Sequence, residues 1–223
     1  MQGGTHAQVR RWVARGCLAA FVLLMVASMW AYPGGDQFDL QHDGHRFFHN
    51  FICDLFESEA LNGKPNGLGA ALAGLAVLVM FLGVLLPLWW YPFGENGGPR
   101  GLVIFARSAG ALSTACMLLM CVEVAMRLPI EHALLALTTA GAGLVATIAV
   151  VVGGLLQPQR SWLDRGLGLA VVISAAANII YFVSVEFGDA KLTPVLPGTQ
   201  KLIAVVLIAW LSVRTRASGA QPA

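Results

Sequence analysis

The chain has 223 residues, 57% of them hydrophobic and only 12% charged, with 14 Lys and Arg against 12 Asp and Glu for a net charge of +2. A soluble domain is about 45–50% apolar and about 25% charged, because its surface must face water. This composition therefore excludes an ordinary soluble domain, and so small a net charge argues against a nucleic-acid partner.

A membrane span needs about 20 mostly apolar residues. Six segments qualify, at about 12–32, 67–90, 102–126, 132–156, 162–185 and 195–213. They predict an all-α fold: a polytopic membrane protein, one six-transmembrane-helix bundle over residues 1–223, without an internal repeat. Arg10, Arg11 and Arg15 precede the first span, but its apolar run continues through Trp30 to Tyr32 with no small-x-small pair after it. That predicts an anchor rather than a cleaved or twin-arginine signal. In the sixth span only Leu202 to Val213 is continuously apolar, so Pro197, Gly198 and Lys201 fall in its outer turns or in a short re-entrant stretch.

Local signals punctuate these helices. Ser161 with Asp164 predicts a capping box at the start of the fifth span, and Pro92 closes the second. The pairs Ala70 and Gly74, and Gly110 and Thr114, predict close helix contacts. Cys17, Cys116 and Cys121 fall inside apolar helices and Cys53 in a polar segment, which predicts neither disulfides nor thiolate metal ligation.

Lys and Arg are biased toward the cytoplasm in membrane proteins. Arg10, Arg11, Arg15, Arg100, Arg107, Arg160, Arg165, Arg214 and Arg216 fall at one end of the spans. Only Arg46, Lys64, Arg127, Lys191 and Lys201 fall at the other. Both termini are therefore expected inside a cell membrane, which the chain crosses several times. An aromatic belt of Trp12, Trp89, Trp90, Tyr91, Trp162 and Trp210 is expected at the inner boundary, with Trp30, Tyr32 and Tyr181 at the outer one.

Residues 33–66 then form a first outer loop. Within it Phe47, Phe48, Phe51, Ile52, Leu55 and Phe56 recur at three- and four-residue spacing, with Arg46, Asn50, Asp54 and Glu57 on another face. This predicts an amphipathic helix lying on the outer leaflet or capping the bundle. His42, His45 and His49 stand at i, i+3 and i+7, which makes them metal-ligand candidates, although Gly44 interrupts the pattern and no second ligand cluster accompanies them. No cofactor is implied.

Ionisable residues inside spans are functional candidates by default. Glu123 and Arg127 are spaced for a helical ion pair, and His132, Asn178, Tyr181, Glu186 and Lys201 fall at a similar depth. With Asn50 and Asp54 they predict a polar cavity open to the outer leaflet, covered by the loop. In the alternative, these groups satisfy one another or reach the interface.

Tyr32-Pro33-Gly34-Gly35, followed by His49-Asn50-Phe51-Ile52-Cys53-Asp54-Leu55, resembles the six-helix membrane proteins related to DRAM. The likeness is closest to their uncharacterised bacterial and archaeal branch, whose first outer loop reads Asn-x-Ile-Ser-Asp-x-Gly. Asn50, Ile52 and Asp54 match; Cys53 and Phe56 stand where that branch has serine and glycine. The resemblance implies a six-helix fold and an association with lipid handling in a bacterial inner membrane, and it carries no catalytic residue.

The leading expectation is a non-enzymatic protein that binds a lipid or amphiphile in the outer cavity, with membrane lipids as partners. A homo-oligomer or a membrane-protein partner is left open. The runner-up is a metal-dependent lipid amidase or esterase using His42, His45, His49 and Asp54 as ligands or acid/base groups. A small transporter is the third reading.

Overall fold

The computed structural model describes residues 3–92, 98–126 and 131–216. Helix α1 covers Gly3–Ala31, α2 Gly67–Met80, α3 Leu86–Trp90, α4 Arg100–Met126, α5 His132–Leu155, α6 Trp162–Glu186 and α7 Val195–Arg216. Since α2 and α3 are parts of one bent span, six helical segments among the described residues are long and apolar enough to cross a membrane. No strand occurs among the described residues, only isolated bridges pairing Gly34 with Asp43 and Glu59 with Pro65. The fold is all-α.

The helices pack in cyclic order. Consecutive spans are neighbours, α3 lies against α4, and α7 returns to α1. Large apolar side chains such as Leu23, Val26, Phe105, Ile173, Ile180 and Val205 remain exposed on the helix flanks. Water would not tolerate so many, but hydrocarbon does.

Two apolar clusters fill the interior. One, around Leu18, Val84, Trp89, Val150 and Trp210, occupies the half nearer the chain termini. The other, around Met25, Ala73, Ala76, Met117 and Leu135, is closed by Leu55, Phe56 and Ala60 from the 32–66 segment. Burying Leu55 and Phe56 stabilises that closure by about 2 kcal/mol each.

Small residues set the helix contacts, partly as expected. At Gly110 an added Cβ would stand 2.7 Å from Trp89, and at Gly143 it would stand 3.0 Å from Ser113 Oγ. In α2, however, Gly69, Ala73 and Ala76 face inward, whereas Gly74 has open space beside it. The interior face is thus one residue out of phase with the Ala70 and Gly74 pair.

Trp89 and Trp210 are likewise not in a boundary belt. Both are buried, because their ring N–H groups find interior acceptors: Thr147 Oγ1 at 3.4 Å and Asp164 Oδ1 at 2.9 Å. Trp12, Trp30, Trp90, Tyr91 and Trp162 do remain at the surface.

Between α2 and α3, Phe81–Leu85 forms one π turn, with Leu86 N–H reaching back to Phe81 O. Pro87 supplies the cause, since it offers no N–H to continue the α ladder and its ring crowds the preceding carbonyls. Ser161 caps α6 by accepting from Asp164 N–H at 3.2 Å. The sixth span starts regularly at Val195, with Pro197 in its first turn, where the missing N–H costs nothing. No re-entrant stretch is formed.

Candidate functional site

The loop end of the bundle is covered by a folded cap, residues 32–66, rather than by the expected amphipathic helix. Its only helical element is the 3₁₀ turn Cys53–Phe56. Side chains compete for the backbone here. Asn50 Oδ1 accepts from Arg46 N–H at 2.8 Å, and Asp54 Oδ2 accepts from Phe51 N–H at 2.7 Å, which replaces the i to i−4 ladder with Asx-type turns. Gly44 adds a left-handed residue, φ +74.

The cap begins with Gly34 and Gly35, both at positive φ. An added Cβ would strike the His42 carbonyl at Gly34 and the Leu61–Asn62 backbone at Gly35, so only glycine lets the chain double back so tightly. Asp36 is fully buried beneath this turn. Its Oδ1 accepts from Phe38 N–H and Asp39 N–H at 2.7 and 2.8 Å, and its Oδ2 faces His42 Nε2 at 3.2 Å, Arg46 at 3.5 Å and His49 Nδ1 at 3.5 Å.

Asn50 is the second node. Fully buried, it donates to Gly35 O at 2.7 Å and to Asp54 Oδ2 at 3.2 Å. Lys201 Nζ, buried in the first turns of α7, donates to the Asn50 carbonyl, and Gln200 Oε1 accepts from Ile52 N–H at 3.2 Å. The cap is thereby fastened to α7. Lys201 does not pair directly with Asp54, but its charge partly offsets the burial that pushes the Asp54 carboxyl above the usual range.

The histidines do not form a ligand set. Gly35 N–H donates to His42 Nδ1 at 3.1 Å, which puts the neutral ring's proton on Nε2, toward Asp36. Metal at Nε2 would require the proton on Nδ1 instead. Arg46 already places a cation at the same carboxylate. His45 turns away to stand edge-on to Tyr32, with ring centroids 6.0 Å apart, and burial aided by Lys201 pulls it down to about 4. Among the described residues, no group of three or more His, Cys, Asp or Glu is placed to hold a metal ion.

Between the cap, α5, α6 and the start of α7 lies a cavity of about 850 Å³. Its wall between the helices is apolar: Ala133, Ala136, Leu137, Ala140, Ile179, Phe182 and Val185. Its polar lining comprises Gln37, Cys53, Asp54, Glu57, Glu59, His132, Asn178, Glu186 and Gln200.

Of the candidates read from the sequence, Asp54, His132, Asn178 and Glu186 line this space. Asn50 and Lys201 lie behind it as supports. Asn178 bonds Thr199 Oγ1 at 2.7 Å, and Tyr181 shares a 2.6 Å hydrogen bond with Thr193 Oγ1, so both tie α6 to the chain around the start of α7. Glu123 Oε2 is 2.9 Å from His132 Nδ1. Its expected partner Arg127 lies outside the described residues.

Sequence reasoning missed Gln37, Cys53, Glu57, Glu59 and Gln200 as lining. Cys53 lay in the family-like loop motif, Glu57 on the polar face of the expected helix and Gln200 beside Lys201, whereas nothing in the sequence singled out Gln37 or Glu59. No protein-family model matches the chain, and neither a curated protein nor a solved structure matches it.

Proposed function

We infer that the protein binds a membrane amphiphile in the cavity beneath its cap, with an acyl chain between α5 and α6 and an amine-bearing headgroup at the rim. The observation that carries this is the mixed lining. Seven apolar side chains of α5 and α6 line the cavity together with the exposed carboxylates Glu57 and Glu59 of the cap and Glu186 at the end of α6. An apolar pocket with a few convergent polar groups is the usual form of a small-ligand site, and three acidic groups favour a cationic or zwitterionic head.

The concentration of arginine at the opposite end supports a cap on the outer face of a cell membrane with both termini cytoplasmic. The likeness of the Tyr32 to Leu55 segment to DRAM-related proteins points the same way, toward lipid handling in a bacterial inner membrane. The metal-dependent hydrolase reading gains nothing from the histidine geometry.

Binding of fluorescent phosphatidylethanolamine to the detergent-purified protein tests the reading. Ala136→Trp should fill the cavity and abolish binding. Neutralising Glu57, Glu59 and Glu186 together as Gln should weaken phosphatidylethanolamine relative to phosphatidylglycerol. Unchanged binding in the Ala136→Trp protein would place the lipid elsewhere.

A further inference from the structure

The hydrogen bonds around the cavity fix which way two of its amides point. Ile52 N–H can only donate, so the side-chain oxygen of Gln200 faces the cap and accepts at 3.2 Å. The amide N–H₂ of Gln200 is thereby left over. Thr199 Oγ1 donates its single proton to Leu196 O at 2.9 Å, so toward Asn178 it can only accept. The Asn178 N–H₂ supplies that bond at 2.7 Å and also reaches Leu196 O at 3.5 Å. The side-chain oxygen of Asn178 is left over in its turn. Asp54 is divided in the same way, since Oδ2 accepts from Phe51 N–H at 2.7 Å and from Asn50 at 3.2 Å while Oδ1 is spare.

Among the described residues these three spare groups make no hydrogen bond, and none of them is shut away from the surface of the cavity that Asp54, Asn178 and Gln200 line. The two amides stand together, because Asn178 is bonded to Thr199 and Gln200 is the next residue of α7. A strut between helices engages one end of an amide. The other end is what a ligand meets.

We propose that the cavity selects amphiphiles whose acyl carbonyl is accompanied by a hydrogen-bond donor, an amide N–H or a free glycerol hydroxyl, with Gln200 donating to the carbonyl and Asn178 and Asp54 accepting from the donor. The proposal rests on the amphiphile-binding reading and names the class of lipid for that site.

A diacyl ester lipid carries two carbonyls and no donor at its linkage. It satisfies Gln200, but it displaces water from the Asn178 and Asp54 oxygens without replacing the bonds that water makes. A monoacyl lipid with a free hydroxyl, or an amide-linked one, pairs both kinds of group. Sites built to bond an O–H or N–H reject the analogue that lacks it. The amine of the same lipid meets Glu57, Glu59 and Glu186, so headgroup and linkage are recognised by different side chains.

The test measures binding to the full chain in nanodiscs with four acyl-labelled fluorescent lipids that share one headgroup. They are phosphatidylethanolamine, lysophosphatidylethanolamine, the lysolipid with its hydroxyl capped as a methyl ether, and that capped lipid with an amide in place of its ester. The lysolipid and the capped amide should bind about tenfold more tightly than the capped ester, the worth of one buried hydrogen bond. Asn178→Leu should remove most of that preference. Gln200→Glu keeps an oxygen for Ile52 N–H but offers the carbonyl no donor, so it should weaken all four lipids while leaving their order unchanged. Loss of the helix ties alone would lower every affinity together in both variants.

Equal or reversed affinities of the three single-chain lipids in wild-type protein that binds phosphatidylethanolamine overturn the proposal and leave the binding reading intact; this comparison needs no variant to fold. Absence of binding by all four lipids overturns both. Tighter binding of only one of the two donor-bearing lipids supports the proposal and assigns the donor as hydroxyl or amide. An undiminished preference in folded Asn178→Leu protein removes Asn178 from its role.

Discussion

Replacing Asn50 asks whether the cap is held by its buried polar lattice or by apolar contact alone. The Asn50 side chain makes three hydrogen bonds, one part-buried at 2.8 Å from Arg46 N–H and two buried at 2.7 Å to Gly35 O and 3.2 Å to Asp54 Oδ2. Asn50→Ala removes all three. At about 1–1.5 kcal/mol for each, the cap loses about 3–4.5 kcal/mol.

Asn50→Asp keeps the shape and the acceptor for Arg46, but it sets a second carboxylate oxygen against Asp54 and the Gly35 carbonyl. Two carboxylates so close cannot both ionise, and burial already pushes the Asp54 carboxyl upward. The folded variant therefore holds a proton that its unfolded chain releases above about pH 4. Its deficit relative to wild type is largest at high pH and shrinks as pH falls through the raised value of the pair. Comparing the variant with wild type at each pH cancels the titration of His45. Hydrogen exchange across residues 46–56, with thermal unfolding in detergent at about pH 8 and about pH 6, measures both quantities. Equal exchange in wild type, Asn50→Ala and Asn50→Asp at the higher pH would refute the argument and leave Leu55 and Phe56 as the whole of the attachment.

The remaining expectations concern separate regions. His45 is held down to about 4 against about 6.5 when unfolded, so its contribution is fully present above pH 6.5 and is lost as pH falls toward 4. Cap exchange should rise across that window, and His45→Phe should flatten the rise; an unchanged acid limb counts against it. Gly110→Ala brings a Cβ to 2.7 Å from Trp89 and should cost about 1–3 kcal/mol. Gly101→Ala meets nothing within 4 Å and should melt with wild type. In a cysteine-free background, an impermeant maleimide on intact cells should modify a cysteine at Asn62 and spare one at Gln159; the reverse pattern inverts the orientation.

The spans were legible because length and hydropathy alone decide what can cross hydrocarbon, and five of the six began or ended at residues that hydropathy or a cap signal marked. The cap was not legible. The three- and four-residue spacing from Phe47 to Phe56 is a genuine helical period, but periodicity carries no information on whether Asn50 and Asp54 will take backbone N–H groups for themselves. The sequence placed those two positions in a polar cavity group; in the structure Asn50 is buried and hydrogen-bonded within the cap and Asp54 also lines the cavity. Trp89 and Trp210 were misplaced for a related reason. A tryptophan near a span end reads as interfacial until the structure supplies an interior acceptor. The contact of Glu123 with His132 joins the end of α4 to the start of α5, and a helical spacing rule that looks four residues ahead could not find it.

The π turn at Phe81–Leu85 has a bearing on how the second span tolerates changes in length. An α-helix turns about 100° per residue, and the widened turn absorbs one residue without carrying that rotation onward. A single deletion between positions 81 and 85 can relax the segment to an unbroken α-helix and leave Trp89 aimed at Gly110. The same deletion between 70 and 77 would swing everything beyond it by about 100°, turning the indole from the bundle axis toward the lipid. The bend thus acts as a slack link, where indels can be absorbed in a helix that is otherwise rigidly phased.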